Sequence, residues 1–461
     1  MHYKRIKLCC LCLIFLCLGC SNKEEKLHYA APAVIPGTSR EMKSPGFWIA
    51  RQPFADRVIL DSTGIDSFNK NTEETLKLTQ DVTSLGRTYP GGKISEELKK
   101  NFDSFIGKKY YLRSGLRPDK RFYLNLKKNM NLDSISPDIK LKYGLVVNYA
   151  DQRVLPTDEG LYEERGDVNF DELQNNSLDL GAPLAILHET SDGEWVYALG
   201  VSSGGWIKKN KISFLPIEEL KNYINQTDFC VVTDQKADIF LDPGLTLYHD
   251  YVRMGTRFPL EWFADQRAIE VLIPFRMADG STVFKNAYIK RAAINFGYLA
   301  YTPRNIIDQA FKLINTPYGW GGMNGEQDCS QFLQEVFAAV GIFLPRNSSA
   351  QAQVGMLLGK FDEHSSDEEK AKALSEKGIG GITLIRLDNH IMLFLGMYNG
   401  KPYVIHSTWG YRKPDRGIDH ARVVNRVVVT GMDLGKGSSR GSLLSRIVSI
   451  NMICGVDDTG L

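Results

Sequence analysis

The chain has 461 residues, of which 43% are hydrophobic and 24% charged, and its formal net charge is +2. That length suits about three domains and that composition buries ordinary cores, which excludes a disordered or fibrous chain. A chain this close to neutral carries no electrostatic footprint for nucleic acid.

The first twenty residues read as a targeting segment. Lys4, Arg5 and Lys7 precede an apolar run from Leu8 to Leu18, too short for a transmembrane helix, which needs roughly 20 residues. The run ends at Leu18-Gly-Cys20 and resembles a bacterial lipoprotein signal whose Cys20 becomes the lipidated first residue. An ordinary secretory signal is the alternative. A lipid anchor at Cys20 implies the bacterial cell envelope, and Ser21 in place of Asp points to the periplasmic face of the outer membrane.

Residues 21–45 are polar, lack periodicity and read as a tether. Residues 46–144 read as a mainly helical N-terminal domain; Ser95–Ile106 has helical spacing, and Gly107 and Pro90-Gly-Gly92 punctuate it. From 145 the signal changes to short strands, Pro183–Leu187, Trp195–Leu199 and Gly205–Ile207 among them, giving a first SH3-like barrel over 145–222. A second barrel follows over 223–299. Gly200-Val-Ser-Ser-Gly204 fits a serine nucleophile elbow, but that elbow requires a helix after it and a strand follows here. Thr302 and Pro303 are an N-cap and N1 pair that opens the last domain, 300–461.

That domain holds the most informative stretch, Tyr318-Gly-Trp-Gly-Gly-Met-Asn-Gly-Glu-Gln-Asp328, a glycine-rich loop running into Cys329 and Ser330. Phe332, Leu333, Val336, Phe337 and Val340 lie on one helical face, with Asp328 as N-cap. Cys329 therefore sits in a first helical turn, where the dipole and free amides favour a thiolate. Downstream, His390 opens a strand, Asn399-Gly400 marks a turn and His406 lies on the returning strand. The set suggests Cys329 as nucleophile, His390 as base and His406 as orienting residue. A plain two-residue turn would point the two histidines to opposite faces, so this reading predicts an irregular turn. His364 and His420 are rivals for the third place; His364 lies in a charged, solvated stretch.

Of eight cysteines, five fall in the targeting segment, leaving Cys230, Cys329 and Cys454. Three make no disulfide framework, and with no CxxC spacing among them and no HExxH in the chain, no metal or cofactor is implied.

Thr302–Ile307, Pro317–Gly322, Asp328-Cys-Ser330, Leu344-Pro-Arg-Asn-Ser-Ser349, the His390 strand and Val404–Gly410 together resemble the NlpC-type cysteine peptidases that cut bacterial cell-wall stem peptides. The resemblance implies an α+β chain: a papain-like catalytic domain behind two small all-β barrels and the helical domain. It implies cleavage of the γ-D-glutamyl–diamino acid bond, with peptidoglycan stem peptides as partner. It places Tyr318, Asp328 and Ser330 in the substrate pocket. In related enzymes the first barrel closes one end of the groove and meets the free amino terminus of the stem peptide. Tyr197 is the candidate for that contact, while Trp195 and Trp206 read as barrel core. Gln331 and Asn389 stand where the family often has glycine. A non-catalytic wall-binding lipoprotein, and an amidase or acyltransferase on the same scaffold, stay open at this point.

Overall fold

The structure, a computed structural model, describes residues 34–261, 267–415 and 418–455. The targeting segment, Cys20 and the tether up to residue 33 lie outside the described residues. No helix among the described residues is long and apolar enough to cross a membrane.

The N-terminal region is not one domain; it divides between two cores. Helix α1 (Pro45–Ile49) starts at a proline, and α2 (Ser62–Lys70) is capped by Asp61, whose carboxylate accepts from the Gly64 amide at 2.8 Å. Trp48, Ile49, Ile59, Leu60 and Phe68 join the hydrophobic core of the C-terminal domain, with Trp48 fully buried. The next part turns the other way. Strand β1 (Thr88–Pro90) pairs with β2 (Asp138–Lys140), enclosing α3 (Gly91–Asp103) and α4 (Lys120–Asn129). Ile94, Leu98 and Phe102 recur every four residues on α3 and are buried in the core that holds Trp195, Tyr197 and Trp206. The 46–144 expectation is corrected accordingly: periodicity identified the helices but not the surfaces they cover.

The first barrel comprises β3 (Lys142–Val146), β4 (Ala150–Arg153), β5 (Gln174–Leu178), β6 (Pro183–Glu189), β7 (Trp195–Leu199), β8 (Gly204–Lys208) and β9 (Ile212–Leu215). They form one sheet in the order β5-β4-β8-β7-β6-β3-β9. The loop with the serine-elbow spacing is the β7–β8 hairpin. After α5 (Ile217–Ile224) the pattern repeats with β10 (Phe229–Val232), β11 (Lys236–Phe240), β12 (Tyr248–Arg253), β13 (Arg257–Pro259), β14 (Ala268–Arg276), β15 (Thr282–Lys290) and β16 (Ile294–Phe296). Here the strands split into two sheets, β13-β10-β16 and β12-β11-β15-β14.

The C-terminal domain opens with α6 (Pro303–Lys312), where the Thr302 hydroxyl accepts from the Asn305 amide at 3.1 Å. Helix α7 (Cys329–Ala338) and the short α8 (Ser348–Gln351) follow. The sheet is built from β17 (Met356–Lys360), β18 (Thr383–Leu387), β19 (His390–Tyr398), β20 (Lys401–Asp415), β21 (Ile418–Gly431) and β22 (Ile447–Met452), in the order β17-β22-β18-β19-β20-β21. Helix α9 (Asp367–Lys377) carries a capping box between Ser366 and Glu369. Phe332, Leu333, Val336 and Phe337 of α7 are buried with Ile391, Leu393 and Ile405 of the central strands. The N-terminus of α7 is thereby held against the β19–β20 hairpin.

Candidate active site

Cys329 lies in the first turn of α7, only 8% exposed. The Asp328 carboxylate caps that turn, accepting from the amides of Ser330 at 3.1 Å and Gln331 at 2.9 Å and from the Ser330 hydroxyl at 2.9 Å. Burial and the neighbouring Asp328 charge push the Cys329 thiol up to about 12, against a hydrogen bond from the Ile391 amide that favours the thiolate. Loss of solvent thus works against the helix-start argument for a thiolate. The Ile391 contact ties the sulfur to the first residues of β19, next to His390.

The two histidines meet. His390 Nε2 is 2.7 Å from His406 Nδ1, and His406 Nε2 is 3.1 Å from Thr430 Oγ1. His406 is buried, at 1% exposed. With Nε2 spent on His406, the nitrogen of His390 left for a reacting partner is Nδ1. To accept a proton there, neutral His390 carries its hydrogen on Nε2 and donates it to His406, which donates onward to Thr430. Burial lowers His390 to about 4 and His406 further; Arg446 adds a like charge against both. Burial thus disfavours the charged form of each group, the thiolate and the imidazolium alike.

The turn itself is regular: Tyr398 pairs with Lys401, and Asn399 and Gly400 have φ of 49° and 74°, as a two-residue primed turn requires. The irregularity lies upstream, a bulge between Phe394 and Gly396. Asn389 has φ of 60°, the left-handed conformation that asparagine tolerates, so it fills the place of the family's glycine.

Asp328 and Ser330 stand beside Cys329 but face inward. Arg346 reaches Asp328 Oδ2 at 2.7 Å and Ser330 Oγ at 3.0 Å, and its Nε donates to Asn176 of β5 at 2.8 Å. Tyr318 is half-buried in an aromatic group with Phe170 and Trp409, at centroid distances of 6.3 and 6.2 Å; Phe170 also touches Trp320 at 5.5 Å. Tyr197 is placed elsewhere, which corrects the expectation for it. Its ring is buried in the core shared with α3, and its hydroxyl donates to Glu97 at 2.7 Å. Strand β7 pairs with β8 in unbroken register, and its alternation sends the Tyr197 side chain into that core with Trp195 and Leu199. His364 is exposed, and His420 lies on β21 across from Lys413, so neither joins the set.

The first barrel meets the glycine-rich loop directly. Tyr149 donates to the Gly322 carbonyl at 2.8 Å, Gln174 to the Gly321 carbonyl at 3.2 Å, and Trp320 to the Asp171 carbonyl at 3.1 Å. A Cβ at Gly322, where φ is 82°, would lie 2.1 Å from Ser177 Oγ. Glycine there admits the barrel as well as the turn. Phe170, Asp171, Asn176 and Arg346 were not singled out from sequence. The Leu344-Pro-Arg346 motif was the one available signal; the barrel residues lie in a loop and strand whose spacing carries no mark of their contacts.

Residues 315–417 match the family model described as NlpC/P60 family, and residues 161–208 match an SH3 domain of the SH3b1 type. A γ-D-glutamyl-L-lysine dipeptidyl-peptidase of Bacillus cereus is 24% identical over 256 residues, 52% of this chain and 68% of that protein. The protein of the same name from Bacillus subtilis is 30% identical over 129 residues, 28% of this chain and 40% of that protein. A solved structure described as a novel NlpC/P60 endopeptidase from Photobacterium damselae subsp. piscicida superposes with a TM-score of 0.72 at 21% identity. It covers 87% of this chain and 94% of its own, a likeness of fold. The chain carries an NlpC/P60 domain behind an SH3 domain of the SH3b1 type, and it is a cysteine peptidase.

Proposed function

We propose that this cysteine peptidase acts on peptidoglycan and hydrolyses the γ-D-glutamyl–diamino acid bond of stem peptides whose L-Ala amino group is free. The observation that carries the reading is the line Cys329, His390, His406 beside an aromatic wall to which the first barrel contributes Phe170. The names of the Bacillus relatives support the bond.

In the reaction, Cys329 Sγ attacks the γ-glutamyl carbonyl carbon while its proton passes to His390 Nδ1. Asp328 occupies the Ser330 and Gln331 amides, so the Cys329 amide is the donor of that turn nearest the developing oxyanion. His390 then gives its proton to the departing amine, leaving a thioester. It next takes a proton from water, which releases the γ-glutamyl product and restores the thiol. His406 and Thr430 hold the ring through these transfers. Burial of both groups opposes charge separation before substrate is in place.

The barrel closes the groove on the side before the scissile bond, leaving room for L-Ala and γ-D-Glu. The test compares free L-Ala-γ-D-Glu-diaminopimelate with the same peptide joined to N-acetylmuramic acid. Cleavage of the free peptide alone is expected. Equal rates on both overturn the closed groove, and a Cys329→Ala variant that still cleaves overturns the thiol mechanism. The lipid anchor at Cys20 and an outer-membrane, periplasm-facing location complete the proposal. They predict that Cys20→Ala shifts the protein from the membrane to the soluble fraction.

A further inference from the structure

We propose that Gln52, on the N-terminal segment, is a positioning residue for the catalytic histidines: its side-chain amide holds the strand bulge that puts His390 and His406 on one face of the sheet. This rests on reading Cys329, His390 and His406 as the reacting set.

The argument begins with register. From the turn, Tyr398 pairs with Lys401, Met397 with Pro402 and Gly396 with Tyr403. Continued along the strands, that register would set His390 across from Trp409 and His406 across from Leu393. Side chains alternate along a strand, so the two rings would then stand on opposite faces. Beyond the bulge, however, Phe394 pairs with Val404 and Leu393 with Ile405. This register sets His390 across from Thr408, two residues from His406 and on its face. The 2.7 Å contact between the rings exists because one residue, Leu395, is skipped.

Leu395 is where Gln52 acts. Gln52 Nε2 donates to the Leu395 carbonyl at 2.7 Å, and Gln52 Oε1 accepts from the Gly380 amide at 3.1 Å. One side-chain amide thus spans from the bulge to the segment just before β18, while the Gly381 amide donates to the Phe394 carbonyl at 2.9 Å. The site is shaped for it. A Cβ at Gly380 would lie 2.4 Å from the Leu395 carbonyl oxygen and 2.5 Å from Gln52 Nε2. Gly396 has φ of 131°, which side-chain-bearing residues rarely adopt. Gln52 is anchored in turn by α1. Its Nε2 is also 3.2 Å from the Trp48 carbonyl, and the fully buried Trp48 ring rests on Tyr403, the partner of Gly396 across the ladder. A bulge costs a ladder bond and leaves a buried carbonyl to satisfy. The N-terminal segment supplies that partner from 343 residues away in sequence.

The experiment uses the full chain with Gln52→Leu and Gln52→Glu. Three readouts are taken: kcat and KM on L-Ala-γ-D-Glu-diaminopimelate, the thermal midpoint, and the NMR signal of the His390–His406 N–H···N proton. Q52L should lower kcat by about tenfold or more, because small misplacements of reacting groups are costly. KM should stay within about twofold, the midpoint within a few degrees, and the histidine signal should weaken or shift. Q52E faces the Leu395 carbonyl with an acceptor at neutral pH. Its activity relative to the unaltered protein should recover as pH falls and the carboxyl becomes a donor. Unchanged kcat in Q52L overturns the proposal. So does a kcat loss in both variants that tracks loss of folded protein and shows no pH recovery. Should Q52L fail to fold, the pH ratio of Q52E decides. If the unaltered protein cleaves no stem peptide, the functional reading fails, and the histidine proton signal of Q52L still decides the bulge.

Discussion

The two barrels repeat one strand pattern and serve the peptidase differently. The β4–β5 connection of the first spans residues 154–173, whereas the matching β11–β12 connection of the second spans only 241–247. The long loop delivers Phe170 and the Asp171 carbonyl to the rim of the Cys329 site. The second barrel instead meets the back of α7. Its Arg253 reaches Asp179 of the first barrel at 2.9 Å and Glu335 of α7 at 3.6 Å. One barrel lines the rim of the Cys329 site; the other joins three domains through Arg253. The same scaffold acquires its role through one loop and one charge.

The sharpest break of that comparison is Arg253→Ala. Removing the 2%-exposed guanidinium leaves the Asp179 carboxylate without its partner charge, a loss of about 3–5 kcal/mol. A urea midpoint should fall steeply, while kcat per folded molecule holds. Loss of kcat at unchanged stability would erase the division of labour.

Next in size is a pH effect at the same junction. Burial raises Glu335 to about 8 from 4.5, so the folded state holds its proton more tightly than the unfolded state. That contribution is complete below about 4.5 and is lost as pH rises through about 8, a decline of about 3 kcal/mol between pH 5 and 8. Glu335→Gln should flatten it. His390 acts in the opposite sense. Lowered to about 4 from 6.5, it takes stability away as pH falls from 6.5 toward 4. Between pH 4 and 8, wild type should therefore show a stability maximum, and E335Q a curve that falls only on the acid side.

Phe170→Ala should cost less in energy but alter choice of substrate. Losing the aromatic contacts with Tyr318, Trp320 and Trp409 should lower kcat/KM by about 10- to 50-fold. The glycan-linked peptide should gain relative to the free one. Equal losses on both peptides would reduce Phe170 to packing. The smallest effect is an order of labelling. Cys329 is 8% exposed while Cys230 and Cys454 are 0% exposed, so iodoacetamide should reach Cys329 first, slowly for a thiol raised to about 12.

Much of the site was legible because its signals are local. Asp328 before Cys329, Thr302 before Pro303 and Asn399 before Gly400 each act within a few residues, through caps and turns. The need for an irregularity between His390 and His406 followed from strand alternation alone. Its position did not, because the bulge at Leu395 is satisfied by a side chain beyond any local window. Arg346 and Asn176 escaped for the same reason, as partners across domains. Tyr197 was misplaced because an aromatic on a barrel strand reads alike whether it faces a groove or a helix such as α3. The division of residues 46–144 between two cores was equally hidden, since amphipathic helices announce a buried face and not what buries it.

The N-terminal segment has a consequence for how the chain is made. Trp48 and Gln52 emerge from the ribosome long before Tyr403 and Leu395, the groups they must meet. Until the last strands arrive, the segment has no core to enter, and the catalytic hairpin has no partner for its bulge. Contacts of such sequence separation slow folding. They also link synthesis to activity: a chain stalled or clipped before its C-terminal strands cannot assemble the Cys329 site, and a fragment beginning near residue 300 would lack the strap that shapes it. On the role proposed for Gln52, the Cys329 site is complete only when both ends of the described chain have come together.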